Sequence, residues 1–269
     1  MKTLLLLMAS LAIVPAAHAQ MRDNRDQTLT CNDRGNSGRE AYHCDLREQT
    51  LATAGHLNVD AGKNGAVTVK GWLRNDVLVR SRVEAWADAD ADARALAGQV
   101  IVDAGSGQVS SRGPSTVDRQ GWSVSYEIFV PQTTDLKLTA HNGAIAASDV
   151  RGRIEFGTQN GAVRLARIAG DVSGATVNGA LHIELAGTTW EGRQLEARTT
   201  NGAVTVSVPQ TYSAHFQAET VNGAVRSEFP VTVTGRIRPR NQTLDVNLGS
   251  GGALIHISTT NGAVHLQRT

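Results

Sequence analysis

The sequence predicts an all-β protein: a single-chain β-solenoid of about 18–23-residue coils, with an N-terminal cap that contains one short helix. Three observations predict it. The tripeptide Asn-Gly-Ala occurs seven times, beginning at Asn64, Asn142, Asn160, Asn178, Asn201, Asn222 and Asn261. Apolar residues alternate with polar ones on both sides of each copy, the pattern of strands with one buried face. Equivalent positions also repeat in identity, as stacking requires and a hairpin meander does not.

The first nineteen residues read as a secretory signal peptide. Lys2 is the basic n-region, Leu4 to Val14 an apolar stretch too short to span a bilayer, and Ala17-His18-Ala19 a small-x-small cleavage site. No later apolar run reaches about 18 residues. Residues 20–50 form an N-terminal segment with both cysteines of the chain, Cys31 and Cys44. In an oxidising compartment two cysteines most simply form one disulfide.

The repeats follow within residues 51–269. The Asn intervals are 78, 18, 18, 23, 21 and 39, the last close to two periods. Strand-like positions before the corners include Leu136 and Leu138, Ile154 and Phe156, and Leu195 and Ala197. After the corners come Ile145 and Ala147, Val163 and Leu165, Leu181 and Ile183, Val204 and Val206, and Val264 and Leu266. The phase of the alternation shifts across Asn-Gly, which marks a corner. The expected corner residues are Gly65, Gly143, Gly161, Gly179, Gly202, Gly223 and Gly262, each behind its Asn. Glycine there is expected to supply a positive φ, which Asn tolerates. Thr precedes Asn by two positions at Thr158, Thr176, Thr199, Thr220 and Thr259. Columns of Asn and Thr can pass hydrogen bonds between stacked strands, with Asn178 expected inside such a column. Asn-Gly is also a hairpin signal, so an antiparallel barrel or sandwich is the alternative architecture.

Residues 77–130 break the repeat, and regular repeats resume at about 132–269. Val77 to Trp86, Gln99 to Ser110 and Trp122 to Val130 read as strands; Asp88 to Ala97 reads as a short helix with acidic residues in its first turn. A solenoid needs its open end covered, so this segment reads as a cap.

At its C-terminal end the run from Gly249-Ser250-Gly251-Gly252 through Thr259-Thr260-Asn261-Gly262-Ala263-Val264 resembles the end of the bacterial adhesin-like domains known as DUF4097. The opening Asn64-Gly65-Ala66-Val67-Thr68-Val69-Lys70-Gly71-Trp72 and the preceding Cys44-Asp45-Leu46-Arg47-Glu48 are similar too. The resemblance implies a β-strand-repeat solenoid in a bacterial envelope protein. It implies no reaction and carries over no catalytic residue.

Composition narrows the function. Lys and Arg number 26 against 25 Asp and Glu, which gives no basic surface for nucleic acid. With 4 Trp, 3 Tyr and 4 Phe, stacked aromatic platforms are not expected. Asp88-x-Asp90-x-Asp92 imitates a calcium loop, but Ala93 and Gln99 stand where glycine and a bidentate glutamate belong. The histidines have no zinc spacing, and Gly105-x-Gly107 lacks the context of a phosphate loop. The outward positions Arg164, Ala166, His182, Glu184, Thr205, Ser207 and Arg226 form no column of carboxylates. No catalytic residue, metal or cofactor is therefore expected. The sequence reads as a non-enzymatic, exported envelope scaffold of the periplasm or cell surface, its partner an envelope protein or glycan. The alternatives are a polysaccharide-acting enzyme on the same scaffold and a structural spacer.

Overall fold

The computed structural model describes residues 28–31, 40–117, 119–229 and 242–269. The expected signal peptide, residues 1–19, lies outside them. The described residues form two open ten-stranded sheets and one helix.

In spatial order the first sheet runs β1 (Ala41–Ala52), β4 (Asp76–Ala87), β7 (Gly121–Pro131), β3 (Val67–Trp72), β9 (Ile145–Ser148), β11 (Val163–Ala166), β13 (Leu181–Glu184), β15 (Val204–Val208), β20 (Val264–Arg268), β17 (Val225–Ser227). The second runs β18 (Gln242–Leu248), β16 (Ala214–Asn222), β19 (Leu254–Asn261), β14 (Gln194–Asn201), β12 (Ala169–Asn178), β10 (Arg151–Asn160), β8 (Asp135–Ala140), β2 (His56–Asp60), β6 (Gln108–Arg112), β5 (Ile101–Gly105). From β8 to β17 the chain alternates between the sheets, so each rung of the stack places one strand in each. Neighbouring rungs pair in parallel, with Asn160 opposite Asn178 and Asn178 opposite Asn201. Antiparallel pairing is confined to the ends, in β1–β4–β7, β5–β6 and β16–β18. The sheets have distinct ends, which excludes the closed barrel.

One hydrophobic core fills the space between the sheets. Leu138, Ile154, Leu195, Ile145, Val163, Leu181 and Val204 from successive rungs are all buried in it. This is the alternating set on either side of Asn-Gly. Both halves of each copy face inward because the corner swaps the chain from one sheet to the other.

The corner itself differs from expectation in two ways. None of the seven corner glycines has a positive φ. They are glycine because the rungs approach too closely for a side chain. A Cβ on Gly161 would overlap the carbonyl oxygen of Gly143, and one on Gly179 that of Gly161; the same holds for Gly143 over Gly65, Gly202 over Gly179, Gly262 over Gly202 and Gly223 over Gly262. Second, Asn178 is not buried. The Asn side chains point outward and form an exposed ladder. Asn142 donates to Asn64 (3.0 Å), Asn160 to Asn142 (2.7 Å), Asn178 to Asn160 (2.7 Å) and Asn201 to Asn178 (2.8 Å). The buried column is threonine. Thr158, Thr176, Thr199, Thr220 and Thr259 each donate to the glycine carbonyl of an adjacent corner at 2.8–2.9 Å.

The last copy does not stack where its sequence position suggests. β19 lies between β14 and β16, and β20 between β15 and β17. Residues 254–268 are therefore a wedge between two rungs made earlier in the chain. β18 and β19 flank β16, and the link between them must straddle it. Gly251 and Gly252 make that link at φ 78 and 141, backbone that favours glycine.

At the far end, α1 (Asp90–Gln99) buries Ala93, Leu96 and Ala97. Arg47 donates to Ala97 O (2.9 Å) and Val100 O (2.6 Å), satisfying carbonyls at the helix C-terminus. Asp90 and Asp92 lie in its first turn, where the helix dipole favours acid; Asp88 pairs with Arg119. Gly105-x-Gly107 is the turn of the β5–β6 hairpin, so the strand expected over Gln99 to Ser110 is two strands. Cys31 and Cys44 are joined, with Cα atoms 5.9 Å apart, and hold residues 28–31 over the outer face of the first sheet. There Glu127, 1 % exposed, accepts from Thr28 N, Leu29 N, Thr28 Oγ1 and Lys70 Nζ, and pairs with Arg80. Burial pushes its carboxyl up, but the bonds from Lys70, Thr28 and Leu29 outweigh that and hold it down at about 2.

Candidate functional site

Each rung has two corners. The Asn-Gly-Ala corner is uniform, while the other varies in length. Between Asn178 and Asn201 the interval is 23 rather than the 18 of the two before it, and the added residues fall in the link 185–193 between β13 and β14. The next link, 209–213 between β15 and β16, packs beside it through the bridge of Thr189 with Ser213 and the bond from Ser213 N to Thr188 O (2.8 Å).

Trp190 pins the longer link. Its ring is buried, and its indole N–H donates to Gly170 O at 3.1 Å. Gly170 N in turn donates to Glu191 O at 2.7 Å. The link so anchored walls a groove of about 190 Å³. Its lining includes Gln132, Asp149, Arg151, Arg167, Glu191 and Tyr212.

Charge in the groove is internally matched. Arg151 pairs with Glu191. Arg167 donates Nε and Nη2 to the two oxygens of Asp149, both at 2.7 Å, and Nη1 to Glu184 at 3.3 Å. The Asp149 bond holds the Arg167 guanidinium above its usual range. Tyr212 is 2 % exposed, and its hydroxyl makes no hydrogen bond to a described residue. Burial, helped by nearby Glu191, pushes its phenol up to about 12.

The expected site residues lie elsewhere. The Asn and Gly corners form the opposite edge of the stack, and the disulfide lies at the β1 end of the first sheet. Of the outward positions, Arg164, His182, Glu184, Thr205 and Ser207 share a shallow depression of about 230 Å³ on the first sheet. Ala166 does not face out: it is 5 % exposed, just before the corner residue Arg167. Trp190, Glu191 and Tyr212 were not singled out by the sequence reading; the long Asn178–Asn201 interval marks the first two, while Tyr212 lies in the next interval, beyond Asn201. Among the described residues there is no group of three or more potential metal ligands, and no helix is long and apolar enough to cross a membrane.

A family model described as Toastrack DUF4097 matches residues 49–267, and the chain belongs to that family. Among solved structures it is similar to a candidate cell adhesion protein from Clostridium sporogenes, at 12 % identity over 84 % of this chain and 100 % of that one, with a TM-score of 0.44. A candidate adhesin from Bacteroides fragilis shows 13 % identity over 84 % and 97 %, with a TM-score of 0.36. A candidate lipid-binding protein from Parabacteroides distasonis shows 9 % identity over 84 % and 96 %, with a TM-score of 0.30. No curated protein matches the chain significantly.

Proposed function

We propose that the chain is a non-enzymatic binding scaffold of the bacterial cell envelope, exported by its leader and acting as an adhesin. Its rungs are the coils of a β-solenoid, about 18–23 residues each by the Asn spacing. Residues 77–130 cap one end, and the disulfide lies within the 20–50 segment, tying Cys31 to Cys44 of β1. Export is supported by the leader-like first nineteen residues and by the Cys31–Cys44 bond.

One observation carries the binding role. The stack is uniform along its Asn edge, yet the other edge spends extra residues on an anchored loop that builds a groove. A pure spacer needs no such loop. The test is retention of envelope glycans and outer-membrane proteins on immobilised protein. Ala186→Trp, which fills the groove from an exposed position, should cut retention about tenfold, while Asn178→Ala on the far edge should not. Equal retention by both variants would remove the groove from the binding role, and no retention by the parent would favour the spacer. Turnover of a polysaccharide would favour an enzyme.

A further inference from the structure

We infer that the corner groove binds a single neutral, hydroxyl-rich sugar ring, with Tyr212 as a hydrogen-bond donor and Glu191 and Asp149 as acceptors. The inference rests on the binding-scaffold reading and names its ligand class.

The first argument is the tyrosine. A hydroxyl that bonds no protein side chain keeps its donor and acceptor capacity for whatever lies beside it. Tyr212 lines the groove with its ring buried, and its hydroxyl bonds no described residue and is not sealed from solvent. Its hydroxyl stays protonated at any physiological pH, because burial and Glu191 hold it at about 12. It is a donor that a ligand hydroxyl can engage in place of water.

The second argument is charge. Arg151 is engaged by Glu191, and Arg167 by Asp149 and Glu184. An anion would meet two carboxylates in the lining, and a cation would meet two guanidiniums. A ligand without net charge avoids both. The carboxylates nevertheless keep acceptor capacity, since each offers about four lone-pair sites and arginine uses only part of them. An alcohol hydroxyl donates and accepts at once. It can take the Tyr212 proton on one side and give its own to Glu191 or Asp149 on the other. A ring with several adjacent hydroxyls is the ligand class that uses this mixed set.

The third argument is size and surface. At about 190 Å³ the groove is smaller than the roughly 300–1,000 Å³ typical of drug-sized ligands. It suits one ring at a time. Trp190 and Tyr212 keep their ring faces buried, so recognition is by hydrogen bonding and not by stacking.

The test titrates the full chain with methyl glucoside, methyl galactoside and N-acetylglucosamine, with glucuronate and glucosamine as charged controls. Calorimetry or ligand-observed NMR reads the binding. At least one neutral ring should bind more tightly than both charged sugars. Tyr212→Phe should weaken it about tenfold, the scale of one lost hydrogen bond, with no loss in urea midpoint, because that hydroxyl holds no internal bond. Ala186→Trp should abolish it. Tighter binding of glucuronate or glucosamine, unchanged affinity in Tyr212→Phe, or no binding of any neutral sugar would overturn the inference. If envelope material is still retained in that last case, the scaffold reading stands and only the ligand class falls.

Discussion

Asp149 and Arg167 occupy the same place in successive rungs, and both adopt a left-handed backbone, at φ 59 and 51. The arginine fork then closes on both carboxylate oxygens at 2.7 Å. Non-glycine residues in this region are strained, and such strain gathers where structure over-determines it. Here it turns the chain at the groove corner and aims two side chains along the surface.

That geometry makes a prediction for Arg167. Glycine tolerates φ 51, so Arg167→Gly trades an exposed ion pair for relieved strain and should be near neutral, within about 1 kcal/mol. Arg167→Val should cost about 1–3 kcal/mol, since a β-branched residue resists this conformation. Urea melts of the two variants check the ordering.

The corner columns predict a second ordering. Gly179→Ala places a Cβ against the Gly161 carbonyl and should cost about 1–3 kcal/mol or more by overpacking. Thr176→Val removes the buried bond to Gly161 O (2.8 Å) and should cost about 1–3 kcal/mol, the range for a buried group left unpaired. Asn178→Ala, on the exposed ladder, should cost no more than about 1 kcal/mol. An Asn178→Ala variant as unstable as Gly179→Ala would contradict the outward placement of the ladder.

Glu127 predicts acid sensitivity where β7 meets residues 28–31. Its carboxyl is held at about 2 against an ordinary 4.5. A depressed carboxyl contributes stability that is whole above the ordinary value and is lost as pH falls through the depressed one. The contribution is on the order of 3 kcal/mol, so stability should drop by that amount between pH 4.5 and 2. Glu127→Gln should lie lower at neutral pH and show a flatter fall across the same window in chemical melts.

Cys31 and Cys44 close a sequence separation of 13. Thiol labelling of denatured, unreduced protein should find none free. Reduction should cost about 3 kcal/mol on the chain-entropy account. It should also narrow the acid window of Glu127, because Thr28 and Leu29, which supply three of its bonds, hang from that disulfide.

Much of this architecture was legible in the residues. Alternation placed Leu138, Ile154 and Val204 in the core, and recurring Thr and Asn marked columns. Parity could not say which column faces inward at a corner, so Asn178 was expected inside, where Thr176 lies. Glycine chemistry also had two readings, positive φ or close approach, and only the distance between rungs separates them. The groove was invisible for a different reason. An interval of 23 reports that residues are added, but Trp190 and Tyr212 come together through links of two different rungs.

The order of the rungs was hidden too, and it bears on how the chain acquires its structure. Near-identical repeats carry no label saying which neighbour each must meet. The rung of β14 and β15 could pair with that of β16 and β17 directly, with the same Asn, Gly and Thr registers. It does so only through residues 254–268. During synthesis the earlier rungs can assemble one after another, but the final three cannot reach their native arrangement until the last strands have emerged. The cell must therefore keep two sticky edges apart, or pull them apart, before the molecule is complete. Pulse-labelled hydrogen exchange during refolding should show β8 to β13 protected first, and β14 to β20 gaining protection together in one later step. Protection of β16 ahead of β19 in native register would rule that sequence out.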